Sequence, residues 1–232
     1  MTTALSIAQQ VAAEIGIPIP SGLYTTSNAN ARQLGALLNA ALREATERWN
    51  WPQVTREASF AYIESADKSQ GTIEAKVGAG FKAFVLDSGW NRTRQTRIYG
   101  PLDAAGWASL RAYPSRGLGD VFRMREGNLY VDSAQVQVGD TITFEYFSTH
   151  SVVTTDGLSQ IFTQDGQSST IPDSVLVAGL RWQWKYTKGL SYAEDKRTFE
   201  LTAGGAASRG GNAGRRYLDD SRASSSGGAI LL

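Results

Sequence analysis

The only histidine of the chain, His150, lies between Ser148-Thr149 and Ser151. A nucleophilic serine needs a base of this kind within hydrogen-bond reach. Here the segment follows a strand pattern and lacks the glycine elbow that exposes such a serine. A solvated loop histidine is the simpler reading. The chain has no cysteine, so thiol nucleophiles, disulfides and thiolate metal sites are excluded. Carboxylates alone could hold a cation, yet Asp165 and Asp219-Asp220 have no EF-hand spacing. Glycoside hydrolysis needs two carboxylates facing each other across a cleft. Glu64, Asp67, Glu74, Asp87 and Asp103 are scattered, and the sequence pairs none of them. Gly78-x-Gly80 lacks the Lys-Ser/Thr of a phosphate loop and precedes a strand, so it reads as a turn. The chain is therefore expected not to be an enzyme and to need no cofactor.

Binding is the more promising chemistry. Trp90, Trp107 and Tyr113 could stack on sugars or bases. Trp107 sits where a short helix needs a core anchor. Trp90, in Asp87-Ser88-Gly89-Trp90-Asn91, reads as an exposed loop tip. Arg92, Arg94 and Arg97 cluster between Asn91 and Arg97 and could meet phosphates, or form a solvated basic loop. The totals, 23 basic against 22 acidic residues for a net charge of +1, argue against a dedicated nucleic-acid binder.

These residues ride on a recognisable order of elements. Leu5, Ala8, Val11, Ala12 and Ile15 recur at helical spacing, and Gly16, Pro18 and Pro20 stop that helix. Asn30 with Gln33 forms a capping-box pattern before Leu34, Leu37, Leu38, Ala41, Leu42, Ala45 and Trp49. Pro52 disfavours helix at Trp51. Strands and turns follow from Thr55. Phe60 and Tyr62 alternate with smaller residues, and Phe81 to Leu86 is a short apolar run. Val121–Met124 and Leu129–Val131 flank the turn Arg125-Glu126-Gly127-Asn128, and Ile142, Phe144 and Tyr146 share one face. Pro101 suits the start of a short helix carrying Trp107 and Leu110. After a polar stretch, Pro172 opens a helix that is apolar almost all round, and Ser191-x-x-Glu194 caps a shorter one reaching Phe199.

The expected fold is α+β. A helical bundle from residues 1–54 and 170–202 carries an inserted antiparallel β-sandwich or barrel with its connecting loop, 55–169. An extended tail, 203–232, closes the chain. The two helical ends must pack on each other, since neither pair covers its own apolar stripe. The tail is mostly Gly, Ala and Ser, with Arg209, Arg215, Arg216 and Arg222, and buries too little apolar surface to order alone. Tyr217-Leu218 and the tip Ile230-Leu231-Leu232 are out of place in a purely solvating tail, which reads as a tether that orders on a partner. No signal-peptide pattern and no apolar run of membrane-spanning length is seen, so a soluble protein without a membrane partner is expected.

Several spaced residues carry a resemblance: the Leu34-to-Trp49 helix ending in Arg48-Trp49-Asn50-Trp51-Pro52; Gly100-Pro101-Leu102 with Trp107; Val121-Phe122-Arg123-Met124 through Leu129-Tyr130-Val131 to Gly139-Asp140 and Thr141–Tyr146; and Phe162-x-x-Asp165, Ile171-Pro172-Asp173-Ser174-Val175-Leu176, Gly179-Leu180-Arg181-Trp182, Tyr192 and Phe199-Glu200. Over about Leu5 to Leu218 the chain resembles the head-to-tail adaptor (tail tubular A-like) proteins of short-tailed bacteriophages. It departs in having fewer acidic residues around Asp165 and Ser174, and a longer Ser/Gly-rich end.

The resemblance implies a homo-oligomeric ring, commonly twelvefold, beneath the portal in the neck of a virion assembled in the host cytoplasm. The helical part would form the wall. The C-terminal segment, with Arg209, Arg215, Arg216, Tyr217, Leu218, Ile230, Leu231 and Leu232, would reach the portal protein. The β domain would face a nozzle or other tail protein, and Trp90, Arg92, Arg94 and Arg97 would touch that partner or the channel. Genomic double-stranded DNA would pass non-specifically through the lumen. The competing readings are a carbohydrate-binding module of a tail or surface protein, resting on Trp90, and a cell-wall hydrolase, resting only on the scattered carboxylates.

Overall fold

In a computed structural model the structure describes residues 2–112, 119–133 and 135–209. The chain forms two units. One is made of residues up to Gln53 together with those from Ser151 onward, and the other is Val54–His150. The mixed α+β expectation holds, with six helices among the described residues.

The chain opens with α1 (Ala4–Ile15). Thr3 caps it by accepting from the Ser6 N–H, and Gly16 ends it at φ 75°, the left-handed conformation glycine adopts without strain. Its buried face is Ala4, Ile7, Ala8, Val11 and Ala12. The next helix, α2 (Ala29–Arg48), is capped by Asn28 and not by Asn30: the Asn28 side chain accepts from the N–H groups of Asn30 and Ala31. Either asparagine suits a cap, and only the turn geometry picks the one outside the helix. Of the expected stripe Leu34, Leu38, Ala41, Leu42 and Ala45 are buried while Leu37 and Trp49 are half-buried, and Glu44 pairs with Arg48 at 2.9 Å.

The inserted unit runs through β1 (Thr55–Ala61), β2 (Ser69–Thr72), α3 (Ile73–Val77), β3 (Phe81–Phe84), β4 (Trp90–Asn91), β5 (Thr96–Tyr99), α4 (Ala104–Ala112), β6 (Asp120–Arg125), β7 (Asn128–Asp132) and β8 (Thr141–Ser148). The strands form one curled sheet, a half-barrel, in the order β1-β8-β4-β5-β6-β7-β2, with β3 also on β8. It is neither a two-layer sandwich nor purely antiparallel. The chain between β5 and β6 includes α4, and β6 returns parallel to β5, as Ile98 opposite Asp120 and Tyr99 opposite Val121 show. The β6–β7 hairpin forms where its turn signal stands, with Glu126 and Gly127 at φ 53° and 74°. Inward residues of the sheet make an aromatic core. The Phe122 and Phe144 rings lie 4.6 Å apart and Phe84 stands 5.2 Å from each, with Ile98, Leu129, Val131 and Ile142 around them. Trp107 and Leu110 do face inward, against Val121 in a smaller cluster, but α4 starts at Ala104 and not at Pro101.

The chain then makes a small sheet of β9 (Val152–Thr154), β10 (Gly157–Ser159) and β11 (Ser168–Ser169). By their polar texture residues 151–169 read as the connecting loop of the β region, but they belong to the helical unit. Thr3 bridges Ser168, and the Ala4 N–H donates to the Gln167 carbonyl. Asn39 clamps both backbone groups of Phe162, and Asp165 accepts from the N–H groups of Leu23 and Tyr24. Two residues of the resemblance pattern thus tie this return segment down, Phe162 to α2 and Asp165 to the α1–α2 connection. Burial of Tyr24, with Asp165 beside it, raises its phenol well above the ordinary range.

Two helices finish the unit, α5 (Asp173–Thr187) and α6 (Ala193–Ser208), and α5 packs against α1, α2 and α6. The two chain ends do cover each other's apolar faces. The Ser191–Glu194 capping box is not formed; Tyr192 precedes the helix without a side-chain cap bond. Nor does α6 stop near Phe199. It continues to Ser208 and buries Ala203, Ala206 and Ala207, so residues 203–208 are packed helix and not tether. Small residues that carry no periodic signal in sequence allow close helix packing in the fold.

Candidate functional site

The three clustered arginines lie on and beside the β4–β5 hairpin. Each meets an internal acid. Arg92 reaches Glu57 at 3.4 Å, Arg97 reaches Asp87 at 3.1 Å with its guanidinium over Tyr99, and Arg94 reaches Asp140 at 2.6 Å. The first two pairs are exposed and contribute little. The third is different, because the Asp140 side chain is 7% exposed. The segment presents neutralised pairs and not a free basic patch. Trp90 is not on a loop tip. It lies in β4 between Thr143 and Arg97, 38% exposed on the outer face of the sheet.

Asp140 accepts from the Gln137 N–H, the Asn91 amide and the Arg94 guanidinium. These donors, the Gln137 N–H first, hold its carboxyl below its ordinary value. A carboxyl depressed in the folded state stabilises at pH above its unfolded value, and that contribution is lost as pH falls through the folded one. Asp140→Asn is expected to cost about 1.5–3 kcal/mol at pH 7, as for hydrogen bonds to charged groups. It should also flatten the acid dependence of unfolding below pH 5. Urea denaturation of both proteins across the acid range checks this, and unchanged curves would remove the assigned role.

The other candidates for chemistry are scattered. The Ser148 hydroxyl accepts from the backbone N–H of His150, whose ring packs on Gly80, so no base faces a nucleophile there. Asp67 caps a turn, Asp103 caps α4 through Gly106, and Asp87 is paired with Arg97. No three metal-ligating side chains converge among the described residues. No helix among them is long and apolar enough to cross a membrane. Gly78 and Gly80 form a turn with positive φ, 99° and 78°.

Of the tail residues, Arg209 is described and ends α6 exposed. Arg215, Arg216, Tyr217, Leu218, Ile230, Leu231 and Leu232 lie outside the described residues, as does Tyr113.

The surface that sequence reasoning missed is at the α5–α6 turn. Trp182, Tyr186 and Tyr192 form a contiguous aromatic group, with ring centroids 6.1, 6.4 and 5.1 Å apart in pairs. Tyr186 is 59% exposed and the adjoining Leu190 54%. Lys196 lies over Trp182. Below the turn, Asp195 is flanked by Arg181 at 2.7 Å and Lys185 at 2.6 Å, and Arg181 also reaches Glu14 of α1 at 2.8 Å. This network holds the α5–α6 turn against the N-terminal helix. A helix apolar almost all round reads as buried on several sides, and the signal for exposure was only the Gly189-Leu190-Ser191 break after it. No family model matches the chain, and no curated protein matches its sequence.

Proposed function

We propose that this chain is a structural head-to-tail adaptor of a tailed bacteriophage. Copies form a ring beneath the portal that joins capsid to tail and surrounds the DNA channel. The observation that carries this reading is the exposed aromatic surface at the α5–α6 turn. Large contiguous apolar surface on a folded unit marks a site of association, and Tyr and Trp are enriched where binding energy concentrates. The helical unit supplies the ring wall, the segment beyond Arg209 the tether to the portal protein, and the β unit the side facing a nozzle or other tail protein. The near-neutral net charge of +1 lets DNA pass without being held, because tight phosphate binding needs many cations.

The experiment is co-sedimentation with portal rings of the same genome, using the full chain, a chain ending at Arg209, and Tyr186→Ser. The cut falls after Arg209 because removing Ser208 and Arg209 would fray the last turn of α6. The full chain is expected to bind. The shortened chain should bind at least tenfold more weakly through lost avidity, and Tyr186→Ser should impair self-association. No binding by the full chain overturns the adaptor reading. Equal binding by the shortened chain moves the anchor to the helical unit.

The carbohydrate-binding alternative is favoured by one observation: Trp90 is half-exposed beside Arg97 and Tyr99 on the sheet face. Glycan binding that Trp90→Ala abolishes would support it.

A further inference from the structure

A second feature of the β unit is independent of the adaptor reading. Arg123 of β6 stands opposite Tyr130 of β7, on the face of the sheet away from Phe122, Leu129 and Val131. Trp107 of α4 meets the Tyr130 ring edge-on at 6.4 Å, and the Arg125 guanidinium lies 5.5 Å from its centre. Asp67, from the turn before β2, completes the wall of a cavity of about 80 Å³. In the sequence Trp107 reads as a core anchor that could also stack on sugars or bases, Asp67 as one of the scattered carboxylates, and Arg123, Arg125 and Tyr130 only as hairpin positions.

Their charges are arranged for a ligand. Among the described residues Arg123 is in no ion pair, and Arg125 pairs only with its neighbour Glu126, at 3.4 Å and with both side chains exposed. Each guanidinium presents a planar fork that matches a carboxylate, and both line the cavity. Asp67 is fixed by the Ser69 N–H at 3.1 Å and the Ser65 hydroxyl at 3.0 Å. Those two donors hold its carboxyl below the ordinary value, the Ser69 N–H first. An ionised Asp67 accepts hydrogen bonds from ligand hydroxyls and repels a dianion. Trp107 and Tyr130 give the cavity an aromatic wall of the kind sugars pack against. A neutral sugar would leave Arg123 unpaired, and inorganic phosphate would bring two charges against Asp67. About 80 Å³ is several times the roughly 10–15 Å³ of cavity that one water needs, so it admits a carboxylate and leaves a ring at the mouth.

We propose that the groove between α4 and the β6–β7 hairpin binds a hydroxylated monocarboxylate of the sugar-acid class, a uronate. Its carboxylate lies on Arg123 and Arg125, its hydroxyls face Asp67, and its ring lies against the wall formed by Trp107 and Tyr130.

The test is titration of the isotope-labelled full chain with glucuronate, with glucose, acetate and inorganic phosphate as separate arms, followed by amide NMR. Glucuronate should give saturable shifts at residues 67, 123 and 130 in the millimolar range, as for a small ligand with few contacts. Arg123→Met should weaken it at least tenfold, and Asp67→Asn should reduce the preference for glucuronate over acetate. Arg123→Lys, which keeps the charge without the fork, serves if the Met variant does not fold. Absence of saturable shifts with glucuronate overturns the proposal. So does phosphate or acetate binding as tightly, which marks a simple anion site, and so does unchanged affinity in the Arg123 variants.

Discussion

Gly179→Val is expected to destabilise the helical unit strongly. A Cβ at this position would lie 2.9 Å from the Ala41 Cβ of α2 and 3.1 Å from the Phe199 ring of α6. Contacts this short force α5 away from both neighbours at once. Overpacking a well-filled interior costs about 1–3 kcal/mol and occasionally more, and the branched side chain adds two methyl groups beyond the Cβ. The upper end, about 3 kcal/mol, is expected here, because helix backbone and aromatic ring bound the space on two sides. Gly179→Ala separates the causes. Alanine gains about 1 kcal/mol of helix propensity over glycine and pays only for the Cβ. Its loss should therefore be much smaller. Urea denaturation followed by tryptophan fluorescence, to which Trp182 and Trp184 of α5 contribute, measures both. A valine variant as stable as the parent would mean that α5 can shift freely, and the close three-helix packing would be wrong.

Phe144→Ala is the matching experiment in the β unit, with an expected loss of about 3–5 kcal/mol. The ring is fully buried in β8 and stacks at 6.2 Å on Phe60, besides touching Phe84 and Phe122. Its strand bonds to β1, β3 and β4, so the backbone cannot collapse into the space the ring leaves. The cost of a large-to-small change grows with the cavity that remains. Phe144→Leu keeps most of the volume and should lose far less. Comparable losses for Ala and Leu would show that ring contacts, and not volume, set the stability. A near-neutral Ala variant would contradict the aromatic core itself. Neither Gly179 nor Phe144 contributes to the α5–α6 surface or the Arg123 groove, so loss of binding in these variants would report unfolding alone.

Repeating local patterns carried what was legible. The α1 and α2 stripes, the β6–β7 turn and the alternation along β8 each depend on a few neighbouring residues and on periods of 3.6 or 2, which tertiary packing seldom overrides when they are strong. The interleaving of two helical ends around an inserted β region was legible for a related reason: neither helical end can bury its own stripe. Weak or degenerate signals failed. Asn28 and Asn30 are equally good caps on paper. Gly204-Gly205 reads as a tether, although Gly204 and its neighbours Ala203, Ala206 and Ala207 fall within a helix that buries those three alanines. The polar stretch 151–169 reads as linker because its order comes from single long-range clamps, Asn39 on Phe162 and Asp165 on Leu23 and Tyr24.

The candidate sites divide in the same way. Composition alone excluded thiol chemistry, and the single histidine stands outside any glycine-elbow motif. Side-chain partners belong to the tertiary structure. Arg92, Arg94 and Arg97 form one basic cluster in sequence, but their carboxylates are 35, 46 and 10 residues away at Glu57, Asp140 and Asp87. Sequence by itself determined which residues prefer helix, strand or turn and which chemistries lack their atoms, because those depend on local sterics and residue type. Only the tertiary structure decided that the strands close into one curled mixed sheet, that α6 runs to Ser208, and that Trp182, Tyr186 and Arg123 remain accessible. Those outcomes depend on long-range burial and charge pairing, in which each residue's environment is set by segments distant along the chain.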